Sequence, residues 1–210
     1  MGERFCYRLK KIARLAGSRG KILEIGFSLL PNPYLRGDIT GVDIILPDKC
    51  PPNYKKMVKA DVSKKLPFKE NSVDTIILGG VIEHLENPNS ALREMNRILK
   101  KGGVLLMETP NPYFFPVMFS DMFMNLRFYF KDTHVNTFPR RIMLKNLWHS
   151  GFDLSKIVSC GVNLGHKFTL PVPQQFAQDI IYVAVKRTPK NKYFEDTRRR
   201  RKTKYDDVRV

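Results

Sequence analysis

Two acids and one glycine have a spacing with chemical meaning. Glu24-Ile25-Gly26 closes one short apolar run, and Asp43 closes the next, 17 residues beyond Gly26. In an open parallel sheet, ligands bind outside the carboxyl ends of the strands. A glycine there lets a ligand approach the backbone, and an acid about 20 residues further on can bond both hydroxyls of a ribose. The pair points to a nucleoside-containing ligand. Other glycine signatures fail. A dinucleotide fingerprint needs glycines where Ser28 and Pro31 stand, and a nucleophile elbow needs one at Leu30. No Gly-Lys-Ser/Thr phosphate loop occurs.

Positioning these residues takes strands with helices between them. Residues 3–16 read as a helix, with Phe5, Leu9, Ile12 and Ala16 on one stripe and Arg4, Arg8, Lys11 and Arg14 around it. Residues 21–25, 38–43, 56–61, 73–78 and 104–108 read as short buried strands. A helix opens at Asn87-Pro88, repeats Leu92, Met95, Ile98 and Leu99, and runs to Lys100-Lys101, where Gly102 stops it. Another helix spans 139–150, and two late strands span 152–162 and 179–187. The alternation predicts an α/β class: a Rossmann-like, doubly wound, seven-stranded and mostly parallel sheet with helices on both faces. One domain over 1–188 is expected, with a basic N-terminal helix (1–20), a covering segment (111–138) and a basic, flexible tail (189–210).

The chain has 210 residues and a formal net charge of +17. At 42% hydrophobic residues it is globular, which excludes a disordered basic-tail protein. The charge is concentrated at the ends: residues 1–21 carry net +6, residues 186–210 net +7, and the long stretch between only +4. Basic ends favour anionic partners such as a phospholipid surface or nucleic acid. Cys6, Cys50 and Cys160 have no paired spacing, which argues against a disulfide framework or zinc site and fits a reducing cytoplasm. No signal-peptide run is evident, and the most apolar stretch, 111–130, contains Asp121, Asn125 and Arg127, so it does not read as a spanning helix.

Taken in order, the motifs are far more specific than any one of them. They run Glu24-Ile-Gly26, Asp43, Ala60-Asp61-Val62, Leu66-Pro67-Phe68, Asn71-Ser-Val-Asp74, Val81-Ile-Glu83-His84-Leu85 and Arg97-Ile-Leu-Lys-Lys-Gly-Gly103. This order closely resembles the class I S-adenosylmethionine-dependent methyltransferases, in the branch acting on small molecules, quinones and sugars. The resemblance spans residues 20–187 and is most diagnostic from Asp61 to Gly103.

The resemblance implies S-adenosylmethionine as cofactor. Glu24 and Gly26 would line its methionine end, and Asp43 would bind the ribose hydroxyls. Asp61 and the backbone of Val62 would hold the adenine edge, and Gly79 and Gly80 would border the sulfonium. Asp74 would be structural. The chain departs from the family at the first loop, where Ser28 and Leu30 replace two of three glycines. Serine still donates a hydrogen bond, but the Cβ of leucine disfavours positive φ. Either the loop takes another course, helped by Pro31 and Pro33, or cofactor binding is weakened.

The implied reaction is in-line displacement at a methyl carbon, for which positioning does most of the work. A hydroxyl nucleophile gains from a general base, and the candidates are His84, Glu83 and His134. The Glu83-His84 pair has no further metal ligands evident in the sequence, and no metal is assigned. Residues 113–130 fall where the family places a substrate-covering insertion. They hold Tyr113, Phe114, Phe115, Phe119, Phe123, Phe128, Tyr129 and Phe130 with Met118, Met122 and Met124, an apolar lid for a lipidic or aromatic acceptor or a membrane surface. The expectation is O-methylation of a hydrophobic, lipid-linked or sugar acceptor by a cytoplasmic protein, peripheral at the membrane. Nucleic-acid methylation fits the charge less well, because Gly79-Gly80-Val81 stands where amino-methylating enzymes carry Asn/Asp-Pro-Pro-Tyr. A third class, a catalytically inactive binding module, is motivated by Ser28 and Leu30. Oligomeric state is not legible.

Overall fold

The computed structural model describes residues 6–18, 20–123, 134–164 and 168–187. The basic tail at 189–210, residues 124–133 of the covering segment and residues 1–5 of the expected N-terminal helix lie outside the described residues.

Helix α1 (Cys6–Ala16) precedes β1 (Lys21–Ile25), β2 (Asp38–Asp43), β3 (Lys56–Lys59) and β4 (Val73–Gly79). After one turn of 3₁₀ helix, Ile82–His84, come α2 (Pro88–Ile98), β5 (Leu99–Pro110), α3 (Phe115–Phe123), α4 (Arg140–His149) and β6 (Phe152–Ser159). A small ladder pairs β7 (Val162–Leu164) with β8 (Phe168–Leu170), and β9 (Asp179–Lys186) follows. The main sheet has seven strands in the order β3-β2-β1-β4-β5-β9-β6. β1 to β5 are parallel, and β9 runs antiparallel between β5 and β6.

Alternation along the strands splits the core between two faces. Leu23, Ile25, Ile76, Leu78, Leu105, Met107 and Tyr182 pack with Leu92, Met95 and Ile98 of α2 and Met143 and Leu147 of α4. Ile22, Ile39, Ile77, Leu106, Ile181 and Val183 pack on the other face against Ile12 of α1, Phe27, Leu35 and Tyr54. By the same parity, Glu24 and Glu108 belong to the α1 face. That face is covered differently from a fully wound sheet. Among the described residues, the crossovers at 26–37, 44–55 and 60–72 contain no helix, although parallel strands are usually joined through one. Loop side chains do the covering instead. Phe27 is buried beneath its loop and stacks on Tyr54 with ring centroids 5.4 Å apart. It lies so close to Gly41 that a Cβ there would stand 2.6 Å from the ring.

Several boundaries differ from the sequence reading, each for a local reason. Asn87 caps α2, accepting from the Ser90 amide at 3.0 Å, and Pro88 opens it. However, α2 ends at Ile98 and β5 begins at once. Lys100 therefore pairs with Asp74 at 2.7 Å rather than with the helix end. Asp74 also accepts from the Lys21 amide at 2.8 Å and so fixes the start of β1. The third strand stops at Lys59, not Asp61. The strand expected over 152–162 ends at Ser159, because Gly161 turns the chain at φ +79° into the β7–β8 ladder.

Candidate active site at the carboxyl ends of the parallel strands

The first loop takes another course after all. Gly26 has φ +79°, and a Cβ there would stand 2.2 Å from Val81 Cγ2, so glycine is required. Beyond it, no non-glycine residue of the loop has positive φ; Asn71 is the one such residue described. Ser28 and Leu30 thus occupy a path that does not need glycine. Leu30 closes a turn onto the Phe27 carbonyl at 3.1 Å, and the Ser28 hydroxyl donates to the Ile45 carbonyl at 2.5 Å.

Asp43 stands at the tip of β2, with its carboxylate held by the loop. Oδ2 accepts from the Ser28 amide at 3.0 Å and Oδ1 from the Ile45 amide at 3.4 Å. Each oxygen keeps a second lone pair. Leu29, Ile44 and Ile45 beside it are exposed apolar side chains. A carboxylate of fixed orientation with bare aliphatic carbon next to it suits a ribose and its base. Asp61 is committed to its own turn: Oδ1 accepts from the Ser63 amide at 2.9 Å and the Ser63 hydroxyl at 2.6 Å. Those Ser63 bonds hold its carboxyl below the usual range. Val62 is buried just after it.

Glu24 is placed away from any open surface. It is buried on the α1 face and accepts from the Asn32 amide at 3.4 Å and from the Tyr54 hydroxyl. Burial pushes its carboxyl up to about 8, against a smaller lowering by the Asn32 amide. Asn32 itself donates to the Leu9 carbonyl at 2.9 Å, so Glu24 serves the joint between the first loop and α1.

The glycines at the end of β4 meet a different pair of acids. The Cβ direction of Gly79 points to Glu108 Oε2 at 3.6 Å, and that of Gly80, whose φ is +63°, to Glu83 Oε1 at 3.7 Å. Glu108 is buried at the end of β5, and Arg8 of α1 donates to its Oε1 at 3.0 Å. Burial raises the Glu83 and Glu108 carboxyls above their ordinary values. Burial likewise raises Asp179, at the start of β9. Sequence reading missed Glu108, Asp179 and Arg8. The available signal was an acid ending the apolar run Val104-Leu-Leu-Met, at the carboxyl end of a buried strand.

His84 and His134, separated by 50 positions, come together with ring centroids 4.7 Å apart. The backbone does this: Val135 and Asn136 both donate to the Glu83 carbonyl at 3.0 Å, and the Asn136 side chain donates to the Leu85 carbonyl at 2.6 Å. Glu83, His84 and His134 each offer a ligand atom, all within 4.8 Å of one another. This set can carry a proton or hold a divalent cation, and the third member was invisible to sequence spacing. Beyond β5, Asn111 anchors the start of the covering segment by donating to the Ala177 carbonyl at 2.7 Å. Tyr113, Phe115, Met118, Phe119 and Met122 of that segment are exposed. No described helix is long and apolar enough to cross a membrane.

The chain resembles known proteins in sequence and in fold. Residues 26–107 match a family model described as a methyltransferase domain. A demethylmenaquinone methyltransferase of Staphylococcus haemolyticus is 32% identical over 124 residues, 49% of this chain and 52% of that protein. One from Staphylococcus aureus is 41% identical over 58 residues, 27% of this chain and 24% of that protein. The chain thus spans about half or less of these relatives' length. Among solved structures, a Thermotoga maritima methyltransferase, described as a possible histamine N-methyltransferase, superposes with TM-score 0.67 at 20% identity, covering 88% of this chain and 91% of that one. A methyltransferase from Archaeoglobus fulgidus gives TM-score 0.61 at 21% identity, covering 88% and 94%. The sheet order and these likenesses converge on the fold of the class I S-adenosylmethionine-dependent methyltransferases, and residues 26–107 match the methyltransferase domain.

Proposed function

We propose that the chain transfers a methyl group to a hydroxyl of a hydrophobic acceptor, lipid-linked, quinone-like or sugar-bearing. The observation that carries this reading is the exposed apolar surface of Tyr113, Phe115, Met118, Phe119 and Met122. It begins directly beyond β5, on the strand-end side that holds Asp43 and the Gly79–Gly80 turn. The named substrate of the curated relatives, demethylmenaquinone, is an acceptor of the same hydrophobic character.

S-adenosylmethionine supplies an electrophilic methyl on a sulfonium. The residues present fit it: Asp43 has lone pairs for two ribose hydroxyls, Ile44 and Ile45 give apolar surface for the base, and glycine at 26, 79 and 80 keeps the strand ends bare. His84 or His134 accepts the proton of the acceptor hydroxyl, and Glu83 orients them from beneath. The basic ends serve as a docking device for an anionic membrane surface, where each basic residue contributes about 1 kcal/mol.

The test is methyl transfer from labelled S-adenosylmethionine to a panel of quinols, lipid-linked sugars and RNA. Transfer to a quinol or lipid-linked hydroxyl supports the reading; transfer to RNA alone overturns it.

A further inference from the structure

The acids beside the Gly79–Gly80 turn are built as a site for a cation. Glu108 is 2% exposed and Glu83 3% exposed. Arg8 occupies Glu108 Oε1, but Glu108 Oε2 and Glu83 Oε2 have no hydrogen-bond partner among the described residues. A buried carboxylate oxygen left unmatched is costly, commonly about 1–3 kcal/mol and more when charged, so folded proteins rarely leave two about one turn. The acids outnumber the cation as well. Glu83, Glu108 and Asp179 act on one another, and Arg8 is the cation that acts on Glu108 among the described residues. Three acids face one guanidinium in a desolvated place, and burial moves their carboxyls toward the protonated form, so a cation entering there replaces a proton.

The direction of the free oxygen is also set. The Cβ direction of Gly79 points to Glu108 Oε2 at 3.6 Å. Glu24 is not available for this task, because Tyr54 and Asn32 occupy it.

We propose that Glu108 and Glu83, which Arg8 only partly occupies, bind an alkylammonium group of a ligand seated at the Gly79–Gly80 turn. The methyl-transfer reading enters only in deciding which ligand brings the amine, the amino-acid end of the cofactor or the acceptor.

Calorimetry on the full chain separates these sources. Wild type and E108Q are titrated with S-adenosylhomocysteine, which carries the ammonium, and with 5′-methylthioadenosine, which lacks it. If the amine is the cofactor's, E108Q weakens S-adenosylhomocysteine at least ten-fold and leaves methylthioadenosine unchanged. If it is the acceptor's, E108Q leaves both unchanged. In that case ethylammonium chloride raises the Tm of wild type saturated with S-adenosylhomocysteine more than equal potassium chloride does, and the difference vanishes in E108Q. No effect of E108Q on either ligand or on the ethylammonium shift overturns the proposal.

R8M is the second variant, and it decides the matter if E108Q does not fold. Removing the internal competitor tightens the amine several-fold. Weakening instead, with methylthioadenosine binding intact, shows a structural ion pair and overturns the proposal. Failure of wild type to bind either nucleoside would sink the methyl-transfer reading, leaving the ethylammonium shift to decide this one.

Discussion

The two halves of the strand-end surface treat their polar groups in opposite ways. On the β1–β2 side, the acids are satisfied by the protein itself. Asp43 takes two backbone amides, Asp61 takes Ser63, and Glu24 takes Asn32 and Tyr54. On the β4–β5 side, Glu83 and Glu108 each keep a buried oxygen with no partner among the described residues. A satisfied carboxylate is a rigid fixture, whereas an unsatisfied buried one is waiting for a group from outside. In the proposed reading the first half is a preformed seat for a nucleoside, and the second is where a ligand completes the protein's own hydrogen bonding.

The largest effect should come from the reactive half. Replacing His84 and His134 together by alanine is expected to lower kcat by about 10²–10⁴-fold, with S-adenosylhomocysteine affinity unchanged by calorimetry. A loss of cofactor affinity instead would erase the distinction between the halves. Next, Asp43→Ala is expected to weaken S-adenosylmethionine by roughly a hundred-fold or more, two hydrogen bonds to a charged group at about 1.5 kcal/mol or more each. Unchanged affinity would remove the ribose role.

A smaller effect tests whether the seat is preformed. Gly26→Ala forces a Cβ to 2.2 Å from Val81 at φ +79°, and it is expected to cost about 2 kcal/mol in urea unfolding. A loss within 0.5 kcal/mol would mean the turn is looser than drawn.

The last effect is read as a slope. The Glu24 carboxyl ionises near 4.5 when unfolded and at about 8 when folded. Between those values the folded chain holds a proton that the unfolded chain has lost, so stability falls as pH rises through the window. The decline reaches about 1.4 kcal/mol per pH unit. Glu24→Gln should flatten that slope in urea melts from pH 5 to 8. An unaltered slope would show that the carboxyl is not buried as a neutral acid.

How much of this could be read from the sequence follows from the range of the interactions. Gly26, Asp43 and the Asn87-Pro88 cap act over a few residues or across one strand pair, so their spacing carries them. Arg8 and Glu108 are 100 positions apart and meet only because α1 lies over β5. His134 reaches His84 through amides that bond the Glu83 carbonyl, a contact without a side-chain pattern. The helix-free crossovers were missed for another reason: buried Phe27, Leu35 and Tyr54 do the covering that helices do elsewhere, and single residues have no period to detect. The acid ending β5 was visible as a letter. That one of its oxygens lacks a partner is a property of the packed molecule.

The position of β9 has a consequence for biosynthesis. It is the last described strand in the chain, yet it lies inside the sheet between β5 and β6. While the ribosome is still adding residues 179–186, β6 has no neighbour and β5 shows an open edge, the form most prone to pairing with another chain. Translation interrupted before Asp179 would yield a product with β1 to β5 paired and an unfinished sheet. Such a fragment would be sticky and short-lived in the cell, and the Asp179 corner of the amine site would be missing from it.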